Sequence, residues 1–330
     1  MSRLRATGAA AGAIVLFLLL ASGPADAQRK GGGGGGRGGG VAVSPDALPE
    51  AARVALMAAI AEARSRVPAA FAAIADLRSR LPDLDAARRG PIAPVTPLLR
   101  SLGPDALMPM LAELALDALP RGALADAAWT AWRSGLIEAV GALRDTRAEP
   151  VLAAALDAPD VDHAVVRAAA EALGKLGTDA AVARLTALAA RPGPKRTGVL
   201  AGMGACRRAA CVGAISDALA GRLDEEVALL AVRSLGHAGS EWAWRTPTLA
   251  SGRAGLEAEV RAAAAAALVA AFVNHGGDVR AAASNSLMTV ADPATPALIA
   301  RAVRATGDAA LRTELEALSA RFDRLTGQRR

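Results

Sequence analysis

Apolar residues recur three or four positions apart along most of this chain, and the interval is clearest between Val165 and Ala190. Val166, Ala169, Ala170, Leu173 and Leu176 fall on one face of a helix. Gly177 stops that helix, and Asp179 stands where a new N-cap is wanted. Val182, Leu185 and Leu188 stripe a second helix. Two short helices joined by a tight turn cannot bury both apolar faces alone. They need a like neighbour on each side.

Such neighbours are legible. An apolar residue followed by a small or soft one recurs at Leu102-Gly103, Val140-Gly141, Leu173-Gly174, Met203-Gly204, Leu235-Gly236 and Leu287-Met288, at intervals of 38, 33, 30, 32 and 52 residues. The first four intervals describe a repeat of helix pairs, and the last leaves room for an extra helix or pair. Ahead of the repeats, Ser44 is placed to cap a helix reaching Arg64, and Pro68 opens another to Arg80. A loop is expected over 82–90, and Pro104 to Leu119 reads as the partner of the helix ending at Gly103. Val260-Arg261 and Val279-Arg280 echo Val166-Arg167, and the run from Arg261 to Phe272 is almost pure alanine. A charged helix from Ala309 to Leu325 reads as the polar cap of the stack.

Composition agrees with all-α. The chain is 53% hydrophobic but only 2% aromatic and has no Tyr, so alanine carries the apolar count and strand-favouring runs are missing. Charge changes the picture little. The net charge of +6 comes mainly from the N-terminal region, and residues 41–330 hold 33 basic and 31 acidic side chains. That near-neutral body, without a dense Lys/Arg cluster, argues against nucleic acid as a partner.

Residues 1–27 read as a secretory signal peptide. Arg3 and Arg5 precede an apolar stretch centred on 14–20, and Ala25-Asp26-Ala27 is an A-x-A site with cleavage expected after Ala27. The apolar stretch is shorter than the roughly 20 residues a membrane span needs, so no span is expected after cleavage. Residues 28–40 are nearly all glycine and read as a flexible tether. Residues 41–90 are expected to form an N-terminal helical cap and 91–330 the repeats. The setting implied is periplasmic or secreted, in a bacterium.

The segments Val166-Arg167, Ala172-Leu173-Gly174-Lys175-Leu176-Gly177 and Ala180 to Leu188 resemble HEAT repeats, in particular the short-period HEAT-like repeats of the phycobilin-lyase type. The resemblance covers roughly residues 91–305 and implies a right-handed α-solenoid of stacked antiparallel helix pairs. Members of that class include scaffolds, chromophore lyases, a di-iron hydroxylase and DNA glycosylases. The hydroxylases use repeated His-Glu pairs, since iron needs several such ligands. Here His163, His237 and His275 are the only histidines and none precedes Glu. No metal site and no cofactor is expected.

The remaining candidates are few. Cys206 and Cys211 are too far apart to bridge along one helix, but by alignment with 166–190 they straddle an inter-helix turn. Two readings stay open, a local disulfide and a pair of buried thiols. Trp129 and Trp132 lie a turn apart, and Trp242 and Trp244 flank Ala243; each pair either fills the core or anchors an interface. Trp242 and Trp244 are the pair expected to be exposed, because their segment breaks the repeat. Arg167, Arg261 and Arg280 recur at one place in the unit and would stack into a basic ladder, or pair with carboxylates. With no catalytic triad or nucleotide loop in view, the sequence reads as a monomeric, non-enzymatic scaffold holding an envelope protein on its concave face. The alternative is a HEAT-like lyase or ligand-binding protein acting on a small molecule.

Overall fold

The computed structural model describes residues 40–117 and 119–327, and among these it is all helix and turn, with no strand. The expected leader and all but the last residue of the glycine tether lie outside the described residues. No helix among those described is long and apolar enough to cross a membrane.

Three helices come first: α1 (Glu50–Arg66), α2 (Pro68–Ser79) and α3 (Leu81–Ala86). The pairs then run α4 (Val95–Ser101) with α5 (Leu107–Ala115), α6 (Asp126–Leu143) with α7 (Glu149–Asp157), and α8 (His163–Leu176) with α9 (Asp179–Ala190). Next, α10 (Arg196–Gly202) continues into a 3-10 turn, Met203–Cys206, and is followed by α11 (Ala209–Ala220). After α12 (Glu225–Gly239) the chain inserts α13 (Glu241–Trp244) and α14 (Pro247–Gly252) before the partner helix α15 (Glu257–Asn274). The pair α16 (Gly277–Val290) and α17 (Thr295–Ala305) and the closing helix α18 (Ala309–Gly327) complete the order.

These helices form two rows. In the first, α4, α6, α8, α10, α12 and α16 pack on one another in turn; in the second, α9, α11, α15 and α17 do so. The apolar-glycine doublets explain the spacing of the first row. A Cβ on Gly141 would lie 2.5 Å from the Ala172 Cβ, and one on Gly204 would lie 2.4 Å from the Ser234 carbonyl oxygen. Glycine at these sites lets each helix close on the next, which is how a core built of alanine gains its contacts. One continuous apolar core results, from Val41 to Phe322.

Local rules account for the reference unit. Asp162 caps α8 by accepting a hydrogen bond from the Ala164 N–H at 3.0 Å, and Gly177, at φ 61°, ends it in the left-handed region. Thr178, not Asp179, is the N-cap of α9: its hydroxyl accepts from the Ala181 N–H at 3.1 Å. Elsewhere the boundaries differ from expectation. Leu81–Ala86 is helical where a loop is read from the prolines, since Pro82 sits in the first turn, where its missing N–H costs nothing. Ser44 makes no side-chain cap, and α1 begins after Pro49. The partner of α4 is shortened to Leu107–Ala115 behind a 3-10 turn at Pro104–Ala106.

Candidate functional site

The repeat fails in two places, at the Cys206–Cys211 turn and in the 240–256 insertion, and the structure joins them. The insertion is pinned by Trp244, which is 1% exposed and donates its indole N–H to the Ala238 carbonyl at 3.0 Å. From there the chain returns to α15, and Arg253 reaches back along the edge where the first-row helices end. Its guanidinium donates to the carbonyls of Lys175 (3.1 Å), Leu176 (2.6 Å) and Cys206 (3.1 Å). Trp242 turns the other way and is 61% exposed. The Arg245 guanidinium lies 5.3 Å from its ring centroid. Beside it opens a cleft of about 620 Å³ lined by Trp242, Glu241, Arg245, Pro293, Pro296, Phe322 and Asp323, between α13 and the starts and ends of α17 and α18.

The edge that Arg253 joins carries a second concentration of charge. α6 ends in the left-handed region at Arg144 (φ 55°), α8 at Gly177 (φ 61°), and the 3-10 turn at Arg207 (φ 49°). These are equivalent positions, 33 and 30 residues apart. Arg144 donates to the Lys175 carbonyl at 2.8 Å, the same oxygen that Arg253 takes. Arg207 is 4% exposed, and its Nε has no hydrogen-bond partner. Burial, with Arg144 and Arg253 nearby, pushes its guanidinium down to about 10. His237 on α12 is held down to about 4, first by the groups that desolvate its ring and then by Arg207, although the residue as a whole is exposed. Glu171 is the acidic member. Burial pushes its carboxyl up, but Lys175 at 2.7 Å and Arg167 at 3.3 Å hold it below the usual range.

Arg167, Arg261 and Arg280 do not form a ladder. Arg167 pairs with Glu138 at 2.7 Å and with Glu171. Arg261 lies on α15, in the second row, where it pairs with Glu257 at 2.8 Å and donates to the Val290 and Ala291 carbonyls. Arg280 pairs with Glu314 at 2.8 Å. The insertion is the reason: it lengthens the α12 unit, so Val260-Arg261 belongs to a partner helix and does not match Val166-Arg167. Of the tryptophans, Trp244 is core, contrary to the expectation of an exposed pair, because Trp242 and Trp244 stand two apart on a one-turn helix and so point apart. Trp132 is buried and donates to Glu113 at 3.0 Å; Trp129 is half-buried under Arg78 and Arg133. Cys206 and Cys211 are joined by a disulfide, with Cα atoms 6.5 Å apart.

The histidines are not gathered. His163 opens α8, His237 lies in the last turn of α12, and the His275 Nε2 approaches the Leu219 carbonyl at 3.3 Å. No group of three or more His, Cys, Asp or Glu among the described residues is arranged to hold a metal ion. The residues missed by sequence reasoning are Arg144, Arg207 and Arg253. For the first two a signal exists, since an arginine stands at the register position that Gly177 holds in the clearest unit. Arg253 leaves none, because its partners lie 47 to 78 residues away.

Residues 116–201 match the family model for HEAT repeats. No curated protein matches the sequence. Among solved structures the chain is similar to human deoxyhypusine hydroxylase in complex with glycerol, at 20% identity and a TM-score of 0.31, over 79% of this chain and 97% of that one. That protein is an enzyme, so the expectation that this chain is not one is withdrawn. At that identity and TM-score nothing of the hydroxylase's chemistry passes to this chain. With helix pairs stacked in two rows and HEAT repeats matched over 116–201, the chain carries HEAT repeats.

Proposed function

We propose that this chain is an exported HEAT-repeat protein that holds a protein partner, with Trp242 as the anchor of the contact. The observation that carries the proposal is Trp242 itself. Among the described residues it is the one aromatic side chain in the set of exposed large apolar residues, and it stands at the mouth of the 620 Å³ cleft. Tryptophan dominates interfaces because it brings a large rigid area at low entropy cost. Glu241, Arg245 and Asp323 give the cleft a polar rim around that anchor. Export is supported by the basic start, the apolar stretch and the Ala25-Asp26-Ala27 site.

The test is affinity capture from a cell-envelope fraction with the wild-type chain and with Trp242→Ala in parallel. The reading requires a protein enriched by the wild type and lost from the variant. Equal enrichment by both would remove Trp242 from the interface. The cleft also has the size of a small-molecule site, which favours a second reading in which a small ligand stacks on Trp242. Native mass spectrometry separates the two, since only the second predicts a retained small molecule and no enriched protein.

A further inference from the structure

We propose that the guanidinium groups of Arg144, Arg207 and Arg253 form a binding site for a phosphate-type oxyanion on the turn edge of the solenoid. The site is separate from the Trp242 cleft and does not depend on it.

The first argument is register. Arg144 and Arg207 occupy equivalent helix-ending positions in the left-handed region, where glycine is favoured and a longer side chain is strained. Between them the equivalent residue is Gly177, which has no side chain to offer. Arg253 from the insertion takes that place: a Cβ on Gly177 would lie 2.2 Å from its Nη2. Three successive positions along the edge therefore each present a guanidinium, two from the repeats and one delivered from a distant segment.

The second argument is charge. None of the three arginines is in an ion pair among the described residues. The nearby carboxylate, Glu171, is already shared between Lys175 and Arg167. The groups that receive the arginines are carbonyl oxygens at helix ends, of Lys175, Leu176, Cys206 and, at 3.5 Å, His237. Helix-end carbonyls carry only partial negative charge and cannot neutralise three cations. Arg207 is the sharpest case, being almost fully buried, with its Nε unpartnered. A buried charge of this kind is costly unless a counter-ion joins it. Arg144 and Arg253 are only half-buried, which leaves an approach from solvent.

The third argument is ligand chemistry. Guanidinium groups offer paired N–H donors that match the oxygens of phosphate, and several set along one edge without carboxylate partners favour a doubly charged tetrahedral anion. The source is either free phosphate or a phosphate monoester on a larger molecule.

Isothermal titration calorimetry on the full chain tests this, with inorganic phosphate in one arm, phenyl phosphate in a second, and sodium chloride at matched ionic strength in a third. Saturable binding of phosphate, of phenyl phosphate or of both is expected, with none for chloride. Binding of both places the phosphoryl group at the surface, and binding of inorganic phosphate alone makes it a closed site for the free ion. Arg144→Gly and Arg207→Gly are the informative variants, because glycine suits the left-handed backbone. Each is expected to stay folded in phosphate-free buffer and to weaken binding about tenfold or more, the worth of one charge-assisted contact. Should Arg207→Gly fail to fold, the more exposed Arg144→Gly decides. Heats that do not saturate, a chloride response equal to that of phosphate, or unchanged affinity in a folded glycine variant would overturn the proposal.

Discussion

The 163–190 unit and the 196–220 unit hold the same place in neighbouring repeats and are built by different means. In the first, α8 runs 14 residues, Gly177 ends it without strain, and Thr178 caps α9 with its hydroxyl. In the second, α10 is 7 residues long, Arg207 takes the left-handed position, and Arg208 gives α11 no side-chain cap. What local sequence leaves out there is supplied from elsewhere. A disulfide closes the turn, and Arg253 crosses from the insertion to hold the Cys206 carbonyl. The difference teaches that this solenoid tolerates a weak repeat when a covalent or long-range tie replaces its capping residues.

The comparison breaks first at the core of the strong unit. Leu173 is fully buried in the core, so Leu173→Ala should cost about 3 kcal/mol, the usual price of a large core truncation, in urea unfolding followed by circular dichroism. A loss below ~1 kcal/mol would mean the repeats are loosely coupled. Next comes the tie in the weak unit. Removing the disulfide with Cys206→Ala and Cys211→Ala frees a short loop, worth about 2 kcal/mol by loop closure. Melting with and without reductant checks this: reductant should lower the wild-type melting temperature and leave the double variant unmoved. Third, Arg253→Ala strips donors from three carbonyls, at a cost of about 1–2 kcal/mol. Hydrogen exchange should then rise in 240–256 and around Cys206, and stay unchanged in α8 before Lys175. Exchange that rises evenly over the chain would show that Arg253 is no local tie.

How much of this was legible follows from the range of each interaction. The all-α class, the repeat and most first-row helices could be read, because alanine-rich stripes and the doublet glycines act between residues close in sequence or one repeat apart. Gly141 and Gly204 mark the repeat in the sequence, and their close contacts with Ala172 and Ser234 give the reason. The α3 helix stands where a loop is expected because Pro82 signals both a loop and a helix start. The split of Trp242 from Trp244 depends on how a four-residue helix is rotated, which periodicity cannot fix over so short a span. The supposed ladder of Arg167, Arg261 and Arg280 failed because counting repeats across an insertion assigns residues to the wrong row. The meeting of Arg144 and Arg253 at the Lys175 carbonyl, next to the turn that carries Arg207, needs the insertion to fold back, and nothing local records that.

The smallest expected effect lies on α12, where the weaker unit packs on it, at His237. Its imidazole is held down to about 4 in the folded chain, by crowding and by Arg207, against about 6.5 when unfolded. Below about pH 6.5 the unfolded chain therefore takes up a proton that the folded chain refuses. Stability from this group is complete above that pH, declines as pH falls toward about 4, and changes no further beneath it. Because the residue is exposed, screening limits the loss to well under about 1 kcal/mol. His163, also held down by burial and by Arg167, adds in the same direction, as does Glu171 at lower pH. Glu113 opposes them: burial raises its carboxyl, so its contribution is present in acid and lost as pH rises through that raised value. His237→Gln isolates the one residue, since the other three groups are common to both proteins. Melting curves between pH 7 and pH 4.5 should fall less steeply for the variant than for the wild type. Parallel curves would mean that Arg207 and His237 do not sense each other, and that the cations at the turn edge are better screened than their burial implies.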